Sequence, residues 1–122
     1  MTPFGARLRA LRAERGIPLR EMAVALHVSP AYLSALEHGR RGTPTAGLIH
    51  QVNEFFGLIW DDAEEMARLA RLSRPRPVLD TAGLRPEATE LANRLADALP
   101  RLSAEALAEL RAVLDRLEAA GR

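Results

Sequence analysis

No cysteine occurs among the 122 residues, and lysine is missing too: all seventeen basic side chains are arginine. Without thiols, disulfides, Cys-ligated zinc and thiol nucleophiles are excluded. Aromatic residues make up 4% of the chain, and β-branched residues are few, so little is present from which to build a sheet. Apolar runs are too short for a membrane span. The opening stretch, MTPFGARLRALRAERG, lacks the apolar segment of a secretory signal. The expectation is a cytoplasmic chain with no membrane partner. The arginine-only usage runs through both halves and is read as a compositional bias.

What is there favours helix. Apolar residues reach 48%, enough to bury a core, and Ala, Leu and Arg are the strongest helix formers. The fold class expected is all-α. Net charge is +1, but it is unevenly spread. Residues 1–60 carry seven Arg against four Glu, a balance of +3; residues 61–122 carry ten Arg against twelve Asp and Glu, a balance of −2. A basic front half suits contact with a polyanion.

Helix starts are marked by hydroxyl residues followed by proline at Thr2-Pro3, Ser29-Pro30 and Thr43-Pro44. Asp61 with Glu64 reads as a capping box, and Ser103 as another N-cap. Apolar spacing then predicts five helices: 3–15 (Phe4, Leu8, Leu11), 18–26 (Met22, Ala23, Leu26), 30–38 (Leu33, Leu36), 44–56 (Leu48, Ile49, Val52, Phe55, Phe56) and 60–73 (Met66, Leu69, Leu72). Two prolines in Ser73-Arg74-Pro75-Arg76-Pro77 stop the last of these, and 74–85 is read as a linker.

Two further helices, 86–99 and 103–120, form a predicted hairpin turned at Pro100. Leu84, Ala88, Leu91, Leu95, Leu99 and Leu102 share one face of the first, and Leu107, Leu110, Leu114 and Leu117 repeat along the second. Glu90/Arg94 and Glu118/Arg122 are expected i,i+4 pairs. A lone hairpin has too little core for its size, so this leucine stripe needs a cover. A second copy of the chain is the expected cover; packing on the head and a different protein partner are the alternatives.

The span Arg12-Ala-Glu-Arg-Gly16, Glu21-Met-Ala23, Leu26-His-Val-Ser29-Pro-Ala-Tyr32-Leu-Ser34-Ala-Leu-Glu37-His-Gly39 and Pro44 resembles the Cro/cI-type (XRE) helix-turn-helix family. The likeness covers about 4–58, and a fifth helix would complete a lambda-repressor-like domain over 1–73, with the hairpin of 86–122 behind it. It implies a sequence-specific regulator of transcription that acts on double-stranded DNA as a homodimer, with 30–38 lying in the major groove. The residues expected at DNA are Ser29, Pro30, Ala31, Tyr32, Ser34, His38, Arg40, Arg41 and Arg20. Arg12 and Glu37 match a structural ion pair of the family, and Leu91, Leu95, Leu99, Leu107, Leu110, Leu114 and Leu117 are the expected dimer contacts.

Three departures stand out. Pro18 and Leu19 replace the family's polar cap and its DNA-contacting Gln. His27 stands where a left-handed Gly is usual. Pro30, Ala31 and Ala35 fill positions where relatives place base-reading side chains, so direct readout should be sparse. No nucleophile elbow, phosphate loop or metal spacing is present, and the three His are scattered. No enzyme activity, cofactor or metal is expected. The alternative function is an antitoxin whose C-terminal helices hold a toxin.

Overall fold

The computed structural model describes residues 1–40 and 43–121. Among these the chain is all-helical. It divides into two compact units, Met1–Pro77 and Val78–Arg122. The expected linker of 74–85 is therefore split: four of its residues end the first unit and the rest begin the second.

The first unit holds α1 (Pro3–Glu14), α2 (Leu19–Ala25), α3 (Pro30–Glu37), α4 (Ala46–Phe56) and α5 (Asp61–Arg71). Each has one apolar stripe, and the stripes meet in a single core of Phe4, Leu8, Leu11, Met22, Ala23, Leu26, Leu33, Leu36, Leu48, Val52, Phe56, Met66 and Ala70. Burying one such large side chain contributes about 1.5–3 kcal/mol before entropy is counted. Leu72, expected inside, is instead exposed, because α5 ends at Arg71 and its cap turns outward.

Hydroxyl caps start α1 and α3: Thr2 Oγ1 accepts from the Gly5 amide at 3.1 Å, and Ser29 Oγ from the Tyr32 amide at 3.0 Å. Two expected starts are corrected. At α4 the cap is Thr45, accepting from the Leu48 amide at 3.1 Å, so Thr43-Pro44 precedes the helix and Pro44 is buried. At α5 the cap position is Trp60, at φ 54° and ψ −123°, with no side-chain cap bond; Asp61 is already helical. The acidic first turn of α5 acts there through the helix dipole alone.

The first four helices share one ending. Two or three residues past the last helical one, an amide returns to the carbonyl five residues back: Ile17 to Arg12 (3.0 Å), Val28 to Ala23 (3.0 Å), Arg40 to Ala35 (2.9 Å) and Leu58 to Asn53 (2.8 Å). This closure needs one left-handed residue. Glycine supplies it at 16, 39 and 57, and His27, at φ 57°, supplies it after α2. Two tertiary ties add to the core. Arg15 donates to the Phe56 carbonyl at 2.8 Å, capping α4, and lies 5.0 Å from the Phe56 ring centre. Ser73, buried, accepts from the Phe4 amide at 2.9 Å and donates to the Leu69 carbonyl at 2.5 Å.

The second unit holds α6 (Pro86–Ala98), a 3-10 turn (Leu99–Arg101) and α7 (Ala104–Ala120). Ser103 caps α7 through the Ala106 amide at 3.1 Å. Ahead of α6, Thr81 accepts from the Thr89 hydroxyl at 2.9 Å, which fastens the lead-in segment to the helix. The i,i+4 ion pair seen here is Asp97–Arg101, 3.1 Å. Glu90 and Arg94 form none among the described residues, and Arg122 lies outside them. No described side chain of this unit is buried.

Candidate nucleic-acid interface

The core-facing side of α3 is set by Leu33, Leu36 and Glu37, all buried. Of the remaining residues, Tyr32 packs partly against the core and the others turn outward. Ser29, Pro30, Ala31 and His38 are exposed, and Tyr32, Ser34 and Ala35 are half-buried. The Ser29 hydroxyl is engaged as the cap. His38 Nδ1 donates to the Ser34 carbonyl at 2.8 Å. A carbonyl can only accept, so Nδ1 carries the hydrogen and Nε2 is left facing out.

A short turn positions this rod. After α2, His27 takes the left-handed conformation and Ser29 begins the next cap. The turn thus spans only His27, Val28 and Ser29. An open cleft of about 520 Å³ runs beside it, walled by His27, Ser29 and Tyr32 on one side and Thr45, Gly47 and Gln51 of the α4 start on the other. The α4 residues were not anticipated from sequence. Thr45 is one of two threonines beside Pro44, and nothing in the pattern marked it as the cap.

The inner end of α3 is clamped by α1 in three ways. Arg12 Nε donates to Glu37 Oε2 at 2.9 Å and Nη2 to Oε1 at 3.0 Å, a two-pronged pair. Arg12 Nη1 also donates to the Ile17 carbonyl at 3.1 Å, so the guanidinium ties the α1–α2 turn to α3 as well. Glu37 is 1% exposed. The hydrogen bond to Glu37 is the main reason the Arg12 guanidinium is held more basic than usual, against a smaller opposing effect of burial.

Second, Gly5 lies flat against the Glu37 backbone. A Cβ there would sit 2.8 Å from both the Glu37 Cα and its carbonyl carbon, and closer still to the oxygen. Third, Gly39 at φ 75° faces Thr2, where a Cβ would meet Cγ2 at 2.9 Å. Neither glycine contact was foreseen; a glycine near a helix start carries no signal of what it will touch.

Other expected residues fall as follows. Arg20 is exposed near the start of α2, and Arg40 is exposed just past α3. Arg41 lies outside the described residues. The seven leucines of the expected dimer face are all in the second unit: Leu91, Leu99, Leu107, Leu110, Leu114 and Leu117 are 39–64% exposed, and Leu95 is half-buried. Among the described residues no group of His, Asp and Glu is arranged to hold a metal ion.

A family model described as a helix-turn-helix domain matches residues 3–77. The chain is 40% identical over 52 residues to the HTH-type transcriptional regulator RghRB of Bacillus subtilis, covering 43% of this chain and 37% of that protein. It is 41% identical over 54 residues to the HTH-type transcriptional repressor RghR of the same organism, covering 44% and 40%. The chain thus spans about two-fifths of the length of these Bacillus relatives. A longer likeness, 33% over 116 residues, joins it to the HTH-type transcriptional regulator DdrOP3 of Deinococcus deserti, covering 95% of this chain and 81% of that one. No solved structure matches. With the domain matched from Pro3 to Pro77 and a relative matched along nearly its whole length, the chain belongs to the XRE-type helix-turn-helix family.

Proposed function

We propose that the chain is a sequence-specific DNA-binding regulator of transcription that acts as a homodimer, with α3 entering the major groove. The observation that carries this reading is the two-sidedness of α3. Its inner side is buried and clamped to α1, while Ser29, Pro30, Ala31 and His38 stand open beside exposed Arg20 and Arg40. A major groove about 12 Å wide accepts one such helix. At the start of α3 Pro30 has no amide and the Tyr32 amide is held by Ser29, so the Ala31 amide, with the positive end of the helix dipole, is the one offered to a phosphate. The arginines add charge without reading sequence. The similar regulators named above support the same reading.

The test is fluorescence anisotropy of the full chain with duplexes that it enriches from a random pool. Log affinity should fall linearly with log salt, at about 0.9 per phosphate neutralised. Absent or salt-independent binding would end the reading.

The leucine face of α6 and α7 supports dimerisation. Nothing in its own unit buries these side chains, and leaving them in water forgoes about 1.5 kcal/mol or more each. Two hairpins together would make a four-helix interface, and a dimer presents two α3 helices to half-sites about 34 Å apart. The Leu110→Asp/Leu114→Asp variant should sediment as a monomer and bind the selected duplex at least about 100-fold more weakly, since it loses the second half-site. An unchanged dimer would remove the hairpin from this role.

A further inference from the structure

Arg74-Pro75-Arg76-Pro77, the end of the first unit, belongs to no helix and adds nothing to the core. All four residues are exposed, and no hydrogen bond or ion pair among the described residues engages Arg74 or Arg76. The nearest acids along the chain are Glu65 and Asp80. Each proline restricts the arginine before it and itself offers no amide, and the backbone bends at Pro75 and Arg76. The two guanidinium groups therefore leave a short, non-helical, proline-interrupted bend, two residues apart in the chain.

The start of this segment is fixed. Ser73, just before it, is held at both ends of its hydroxyl, by the Phe4 amide and the Leu69 carbonyl. Arg74 and Pro75 then share the wall of a hollow of about 270 Å³ with His38 and Gly39. The basic segment thus starts beside the C-terminal end of α3.

We propose that Arg74–Pro77 is a minor-groove arm, which enters the A·T-rich minor groove next to the major groove that α3 occupies. This rests on the reading of α3 given above. The minor groove is about 6 Å wide, too narrow for a helix but open to a single non-helical segment and its arginine side chains. A segment with two prolines has fewer amides to satisfy there. Narrow A·T tracts concentrate negative potential and draw in arginine. Such an arm also supplies what α3 lacks, because Pro30, Ala31 and Ala35 cannot form two-pronged bonds to a base.

The experiment uses the full chain and the duplex it enriches most. The base pairs flanking the half-sites are made all A·T, all G·C or all inosine·cytosine. Inosine·cytosine keeps a G·C-like major groove but lacks the amino group in the minor groove, as A·T does. The full chain should bind the A·T and inosine·cytosine flanks at least about fivefold more tightly than G·C. Arg74→Ala/Arg76→Ala should abolish that preference. Arg74→Lys/Arg76→Lys, which keeps the charge, should lose most of it. Both variants should melt as the parent does, since both positions are exposed.

A parent chain indifferent to the flanks would overturn the arm. So would a preference that survives in both variants, or a uniform weakening that leaves it intact, which would mean a grip on phosphates only. A chain that enriches no duplex at all would instead bring down the reading of α3, and the arm with it.

Discussion

Replacing Glu37 with alanine should destabilise the head by about 3–5 kcal/mol, the usual cost of removing one partner of a buried ion pair. Glu37 is 1% exposed, and the Arg12 side chain only 17%. Truncation strands the guanidinium beside a void, with the Ile17 carbonyl as its remaining partner. The thermal midpoint, followed by circular dichroism, should drop by more than about 12 °C, at 4–8 °C per kcal/mol for a head of this size. The Arg12→Met/Glu37→Leu double variant should recover much of that loss, because an apolar pair of similar volume carries no desolvation penalty. It should not recover DNA affinity to the same degree, since the two-pronged bond fixes the angle of α3 as well as holding it. A single Glu37→Ala loss below about 1 kcal/mol would place this pair with ordinary surface bridges.

Gly5→Ala carries the second large effect, and its sign is informative. Glycine to alanine in a helix is worth up to about 1 kcal/mol of stability when the added methyl meets nothing. Here the methyl would press into the Glu37 backbone, which cannot rotate aside as a side chain can. Forced overpacking costs about 1–3 kcal/mol and can exceed that. The net expectation is a loss of about 2 kcal/mol or more, read from denaturant melts. A relaxation that moves α3 away from α1 should weaken DNA binding further than the melt alone accounts for. Gly5→Ala that melts at or above the parent would show the α1–α3 contact to be looser than described.

Much of the head was legible because short-range rules coincide there. The stripes of Phe4, Leu8 and Leu11, and of Leu33 and Leu36, point to the same interior that the caps at Thr2 and Ser29 imply, and the all-α class followed from them. The misses came where two local signals competed. Thr43 and Thr45 flank one proline, and only tertiary packing, which buries Pro44, selects the second as the cap. Asp61 looked like a cap until the backbone at Trp60 turned to an unusual φ, a choice no propensity encodes. Leu72 matched the helical period by one step too many.

At the candidate interface, the Arg12–Glu37 contact was suggested by family likeness, not by spacing. Gly5, Thr45, Gln51 and the Ser73 tie had no signal in the sequence. Gly5 and Ser73 meet partners remote in the chain, and Thr45 and Gln51 face residues of the α2–α3 turn across the cleft, so only the folded arrangement reveals these neighbours.

The chain has one tryptophan, and Trp60 stands 81% exposed at the start of α5. The single indole is thus already bathed in water before the head unfolds. Its emission colour should hardly shift through the melt, while anything that lands on this corner of the head and dries it would move the colour to the blue.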